Sequence, residues 1–189
     1  MIKVANVMDS VNSSEEKKTT KTSASKTPRW YAVYTNPRAE KLVHGRLEEI
    51  NIEVFLPLQK TYRQWSDRKK LVEKPLLSSY VFVKVIPRQF PFVYMTPGVV
   101  KFVSFEGQPV PIPQNQIDNL RLLIDSDAEI EVTKENLEKG DNVKVMRGSL
   151  EGLKGELISY GGKKRVIVRI DRLDQNIIIT IPVTFLKKV

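Results

Sequence analysis

The chain changes character once, between Asp125 and Lys139, and that break constrains its fold more than its overall composition does. Within the break Asp125, Asp127, Glu129, Glu131, Glu135 and Glu138 face only Lys134 and Lys139, a polar acidic stretch of the kind that separates domains. Before it, β-prone runs interleave with segments of helical period; after it the pattern is all-β. The expected organisation is a disordered tail over 1–28, an α+β domain over 29–125, an acidic linker over 126–138 and a small all-β domain over 139–189.

The tail, rich in Ser, Thr, Lys and Asn, has too little apolar surface to offset the entropy of ordering. Trp30–Thr35 alternates large side chains on two faces and predicts a strand. Asn36 as N-cap and Pro37 at the first helical position predict a helix from Pro37 to Ile50. Its apolar face is Ala39, Val43, Leu47 and Ile50; Arg38, Lys41, His44 and Glu48 lie opposite. Ile52–Tyr62 reads as extended, Trp65–Lys70 as a basic hairpin tip, and Tyr80–Val85 as a strongly β-prone strand. A short helix over Pro87–Tyr94, a strand over Val99–Phe105 and a helix over Gln114–Ile124 complete the first domain.

Beyond the acidic stretch, short strands are expected at Asn142–Arg147, Gly155–Tyr160, Arg165–Ile170, Asn176–Ile181 and Thr184–Lys187. Gly161-Gly162 marks a tight hairpin turn between two of them. Gly148, Gly152 and Gly155 punctuate a loop between the first two strands, where glycine supplies unusual backbone angles. So many short strands in so few residues predict a small closed barrel, which removes exposed edges.

With no cysteine, the chain has no thiolate nucleophile, disulfide or Cys-based zinc site, and its single histidine, His44, builds no multi-histidine centre. No metal or cofactor is expected. Phosphate-binding glycine loops and nucleophile elbows are absent from the sequence, and the neighbouring carboxylates Glu48 and Glu49 do not face one another on a helix. These features point away from an enzyme. No apolar run reaches membrane-spanning length and no secretory signal opens the chain, so a cytoplasmic protein is expected. The net charge of +9 attracts polyanions but is spread along the chain, with one local concentration at Lys60, Arg63, Arg68, Lys69, Lys70 and Lys74.

Two stretches carry more specific information. WYAVYTNPRAEK, then EKPLLSSYVFVKV, then TPGVVKFVSFEGQPVPIP together resemble the N-terminal domain of the NusG family of transcription factors. GDNVKVMRGSLEGLKGELISY resembles the KOW motif that opens the SH3-like C-terminal barrel of that family. The two occur in the family's order. The YRQWSDRKK stretch is similar to the specialised RfaH-like and UpxY-type antiterminators, the paralogues that serve single operons. The resemblance implies a mixed sheet flanked by helices, followed by the KOW barrel.

It also implies partners. The family's first domain docks on RNA polymerase through an apolar and aromatic sheet face, which here matches Leu76, Leu77, Tyr80, Phe82 and Phe105. Alternation sets Tyr80 and Phe82 on one side and Val81, Val83 and Val85 on the other, so the valines are expected as core and the aromatic side as free to dock. Relatives commonly read PLFP where this chain reads Pro75-Leu76-Leu77-Ser78. The family also touches the opposite pincer of polymerase, through a segment that matches Arg88–Phe92 only weakly. In RfaH-like members the first helix meets the non-template DNA strand; the matching positions are Asn36, Arg38, Lys41, His44 and Arg46, with Trp65, Arg68, Lys69 and Lys70 of the hairpin added. The KOW barrel is implied to dock a small-subunit ribosomal protein or the termination factor Rho. An operon-specific elongation and antitermination factor is the expected function. A general NusG-type factor and a KOW-led ribosome- or RNA-binding module are the competing readings.

Overall fold

In the computed structural model, residues 27–64, 68–126, 128–135, 137–173 and 175–189 are described. Trp65 and nearly all of the predicted tail lie outside them. The first half runs β1 (Arg29–Thr35), α1 (Glu40–Glu49), β2 (Glu53–Phe55), β3 (Leu58–Gln64), β4 (Lys69–Pro75), β5 (Tyr80–Val85), α2 (Phe90–Tyr94), β6 (Val99–Phe102), β7 (Ser104–Phe105), β8 (Gln108–Pro109), β9 (Pro111–Ile112) and α3 (Gln114–Ile124). The second half is β10 (Ile130–Thr133), β11 (Asp141–Val145), β12 (Lys154–Tyr160), β13 (Lys163–Ile170), β14 (Gln175–Ile179) and β15 (Leu186–Lys188).

The first sheet has the order β2-β5-β1-β6, with β9 also paired to β1. Each of its pairings is antiparallel, where a mixed sheet was expected. One face of the sheet buries Tyr31, Val33, Val81, Val83 and Val85 against Val43 and Leu47 of α1 and Val93 of α2. The other buries Trp30, Ala32 and Phe82 against Ile117, Leu120 and Leu123 of α3. β3 and β4 form a separate two-stranded ribbon.

Helix α1 starts at Glu40, after Ala39, and not at Pro37. Arg38 is in the left-handed region (φ 64°), and the Ala39 N–H donates to the Asn36 carbonyl (3.1 Å), so Asn36 closes a turn instead of capping the helix. Residue 40 then takes a structural role. Its carboxylate is buried, and Oε1 accepts from the Ser79 N–H at 2.6 Å, tying the helix to the start of β5.

The C-terminal sheet has the order β10-β14-β13-β12-β11-β15. Its strands fall close to their expected places, and Gly161 (φ 57°) and Gly162 (φ 72°) make the β12–β13 turn with the doubly positive angles that suit a hairpin's twist. The expected closed barrel is not observed: among the described residues no pairing joins β10 to β15. Its inward side chains, among them Val143, Val145, Val166, Val168, Ile177 and Ile179, belong to the same hydrophobic cluster as Trp30, Phe82 and α3. Part of the apolar face that a closed barrel keeps to itself is therefore continuous with the first half of the chain. At the joint, Asn119 Nδ2 of α3 donates to the Lys154 carbonyl of β12 (3.1 Å).

Within the acidic stretch, β10 pairs with β14 as an edge strand. The residues after it are tied down as well. Arg169 Nη2 donates to the carbonyls of Leu137 (3.0 Å) and Glu138 (2.8 Å), and Asn176 Nδ2 donates to that of Glu135 (2.8 Å).

Candidate binding surfaces

The aromatic side chains on the Phe82 side of the first sheet form two contact groups. Phe55 sits 6.4 Å from Trp30 and 6.1 Å from Phe82 between ring centroids, and Tyr80 is edge-on to Tyr34 at 5.3 Å. Trp30 Nε1 donates to Gln114 Oε1 (3.0 Å), and the Arg121 guanidinium lies 5.6 Å from the Trp30 ring and 5.3 Å from Phe55. That side is not the open face expected from alternation. Phe82 is 0% exposed and Leu76 and Leu77 are buried; Tyr80 is half-buried. A sheet in the middle of an α/β structure covers both faces, and period-two spacing cannot say which layer does the covering. Phe105 is different: it projects from the β7–β8 hairpin with 63% of its surface exposed.

The cationic candidates lie on α1 and the ribbon. Lys41 Nζ is 3.7 Å from Glu73 Oε2 of β4, which draws the two elements side by side. His44 Nδ1 is 3.2 Å from Glu48 Oε2 one turn along. Arg46 Nη1 donates to the Pro97 carbonyl (2.6 Å), beside Gly98, whose φ of 98° and close approach to Val43 leave no space for a side chain. Asn36, Arg38, Arg68 and Lys70 are exposed, and Arg63 stands opposite Lys70 in the ribbon's register. The α1 group and the ribbon are thus brought together; Trp65 lies outside the described residues, and the side chain of Lys69 is not described.

One surface was missed. Between the end of α1 and α2 lies a groove of about 650 Å³ lined by Ile50, Ile52, Phe92, Met95 and Pro97, with Arg46 at its rim. Ile50, Phe92 and Met95 are largely exposed. Helical spacing assigned Ile50 to the core; the signal available was the apolar cluster Phe90-Pro91-Phe92 a few residues before Met95.

In the second half, Gly148 (φ 90°) and Gly152 (φ 92°) adopt the left-handed angles expected of the loop. Gly155 does not: it lies inside β12, and what excludes a side chain there is the Ile167 carbonyl of the neighbouring strand. Burial opposes ionisation of Glu156, but hydrogen bonds from Arg169 and the Gly140 N–H, with the charges of Arg169 and Lys139, hold its carboxyl below the usual 4.5. Among the described residues no group of acidic or histidine side chains is placed to hold a metal ion, and no helix is long and apolar enough to cross a membrane.

The fold and these surfaces define an α+β protein with two principal antiparallel sheets, two small two-stranded ones, and apolar and cationic side chains exposed on its surface. Residues 28–121 match the family model described as NusG, transcription termination factor nusG, and the chain belongs to that family. It is 26% identical over 156 residues to the transcription termination/antitermination protein NusG of Chlamydia trachomatis, covering 75% of this chain and 85% of that one. To the protein of the same name from Rickettsia prowazekii it is 23% identical over 137 residues, 67% of this chain and 71% of that one. Among solved structures, one titled "Domain interaction in Thermotoga maritima NusG" matches 86% of this chain and 97% of its own with a TM-score of 0.51 at 22% identity, a likeness of fold.

Proposed function

We propose that this protein is an operon-specific transcription elongation and antitermination factor that docks on RNA polymerase through the apolar and aromatic face of its first sheet. The observation that carries the reading is the coincidence of a NusG-family match over residues 28–121 with two aromatic side chains of that segment left open to contact, half-buried Tyr80 and exposed Phe105. Aromatic anchors of this kind are the usual energetic centre of a protein interface. Phe82, Leu76 and Leu77 are covered by α3 and the cluster that runs into the C-terminal sheet, so docking through them requires that cover to move. The units that move are the domains 29–125 and 139–189, the second being the family's KOW module, which in turn contacts a small-subunit ribosomal protein or Rho. Asn36, Arg38, Lys41, His44 and Arg46 with the ribbon's Arg68, Lys69 and Lys70 contact the non-template strand, through cations for its backbone. Trp65 belongs to the same hypothesis.

The action is thermodynamic. A factor spanning the polymerase cleft stabilises the closed clamp only by its difference in affinity for the closed and open forms, and a tenfold preference corresponds to about 1.4 kcal/mol. Pausing and termination fall accordingly.

The test is recovery of polymerase subunits from native cytosol on the immobilised full chain. Tyr80→Ala and Phe105→Ala are the informative variants because neither residue is fully buried. Each should weaken recovery, with about 2 kcal/mol lost at a hot spot, or about thirtyfold in affinity. Equal recovery by wild type and both variants rules this docking face out.

A further inference from the structure

We propose that residues 1–11 of this same chain dock in the apolar groove between α1 and α2, laying Val4, Val7, Met8 and Val11 against Ile50, Phe92 and Met95. The contact lies within one chain and stands or falls without the polymerase-docking face.

The groove is an uncovered apolar layer. Ile50, Phe92 and Met95 line it and keep 49%, 59% and 80% of their surface exposed. Beneath them Val43, Leu47 and Val93 are fully buried, so the two helices are already packed on the sheet. What stays open is a second shell of large side chains along one concave wall. Exposed apolar clusters of this kind mark contact sites.

The sequence holds a segment that matches it. Residues 1–26 lie outside the described residues, and their large apolar side chains, Met1, Ile2, Val4, Val7, Met8 and Val11, all fall in the first eleven positions. Val4, Val7, Met8 and Val11 recur at the spacing that sets side chains on one side of a helix, the pattern that apolar grooves accept. Segments of that length are marginal helices alone in water, so such a stripe needs a groove to lie in. The charges agree as well. The groove carries Arg46 and Glu49, one of each sign, and the charged residues of the first fourteen are Lys3 and Asp9. A strongly acidic or strongly basic partner finds no net charge to meet there.

The chain also enters at the right place. Lys84 of β5 stands opposite Trp30 of β1 on one side and Glu53 of β2 on the other. Trp30 is therefore two strand spacings, about 10 Å, from Glu53, and the preceding residue, Ile52, lines the groove. At the other wall, Gln89 Oε1 accepts from the Ile86 N–H (3.0 Å), next to Val85, the partner of Arg29. Directly opposed residues share a face, so Arg29 projects on the side where Val85 is buried under α1 and α2. Residues 12–26 hold no apolar side chain larger than Ala24. A polar connector of that length spans about 20 Å root-mean-square, enough to reach the groove. It is also short enough to hold the segment at about millimolar effective concentration, where a weak contact is well occupied.

The experiment is methyl NMR of the full chain. With no native cysteine, Ser10→Cys takes a nitroxide at a single position, and the four methionines supply the methyl reporters. In the spin-labelled chain the Met95 signal should be lost and that of Met146, in the C-terminal half, retained. Val4→Ser/Val7→Ser/Met8→Ser should restore the Met95 signal, and the Met146 signal checks that the fold is intact. Phe92→Ser, at an exposed position, should restore it from the groove side. A Met95 signal that persists in spin-labelled Ser10→Cys, or that is lost in the serine triple variant too, overturns the proposal. Loss of the Met95 signal of an isotope-labelled chain without nitroxide, when spin-labelled chain is mixed with it, gives the groove to a second copy and overturns it as well.

Discussion

Arg169 Nε donates to Glu156 Oε1 at 2.9 Å while the Nη2 of the same guanidinium holds the carbonyls of Leu137 and Glu138. One side chain thus fastens the segment between the two halves of the chain onto the C-terminal sheet. Glu156 completes the clasp by accepting from the Gly140 N–H (3.2 Å) through its other oxygen. Arg169→Met keeps the stem and removes the fork. It should destabilise the chain by about 2–3 kcal/mol, the scale of a charge-assisted network left with orphaned carbonyls. Urea unfolding measures the loss, and amide exchange should rise first over residues 137–140.

The same clasp sets an acid limb. The Glu156 carboxyl is held below its usual value in the folded chain, so its contribution is complete above the ordinary carboxylate range and is lost as pH falls through the depressed folded value. The gap in urea midpoint between wild type and Glu156→Gln should therefore be constant near neutrality and shrink on acidification. A gap that widens in acid refutes the clasp as its source.

Phe82 tests how the aromatic side chains of the first sheet are used. Its ring is fully buried within the cluster that includes Trp30, Ile117 and Leu120. Phe82→Ala should cost about 3–5 kcal/mol by leaving a cavity, and loss of polymerase binding in that variant is uninformative unless the fold is measured beside it. Tyr80→Ala, at a half-buried position, should cost clearly less. Denaturant midpoints of the two variants decide the order.

These contrasts mark what could be read from the residues and what could not. The strands of Trp30–Thr35 and Tyr80–Val85 were legible because alternation and β-branched content agree. The C-terminal strands were legible because Gly161-Gly162 and the acidic stretch punctuate them. The start of α1 was not: Asn36-Pro37 is a sound capping signal, and only the left-handed turn at Arg38, fixed by the Asn36 N–H bond to the Gly98 carbonyl far along the chain, overrides it. That the C-terminal sheet lacks the β10–β15 pairing of a closed barrel was not legible either, since β-branched runs specify strands and not the partner of the last one. Cover over Phe82 depends on α3 and on residues beyond 140, and no local pattern encodes a long-range neighbour. The cationic positions of α1 and the ribbon were readable as charges, whereas the approach of the two elements, marked by Lys41 and Glu73, is a tertiary contact that no local pattern encodes.

Gly155 and Gly152 separate two reasons for a glycine. A Cβ on Gly155 would run into the Ile167 carbonyl and crowd Val166, both within the hydrogen-bonded strand β13. Gly152 has open space around it but a φ of 92°. Gly155→Ala should therefore separate β12 from β13 and cost several kcal/mol, above the roughly 1–2 kcal/mol of left-handed strain expected for Gly152→Ala. Equal losses in urea unfolding would place the constraint at Gly155 in its loop and not in the sheet.

Glu40 offers the last test, because a buried carboxylate at the first turn of α1 serves two groups at once. It lies at the positive end of the helix, and its Oε1 receives the Ser79 N–H at 2.6 Å. Glu40→Gln keeps an acceptor oxygen and loses the charge; it should cost about 0.5–1 kcal/mol. Glu40→Leu preserves bulk but strands the Ser79 N–H away from water, a loss of about 1–3 kcal/mol from the unsatisfied donor added to that of the charge. Ser79 is in the left-handed region (φ 65°), a conformation that needs an external tie, so the leucine variant should also loosen the entry to β5. Thermal or urea unfolding orders the two variants, and exchange of the Ser79 amide reads the tie directly. A leucine variant as stable as the glutamine one, with that amide still protected, shows that the carboxylate is not what holds the turn.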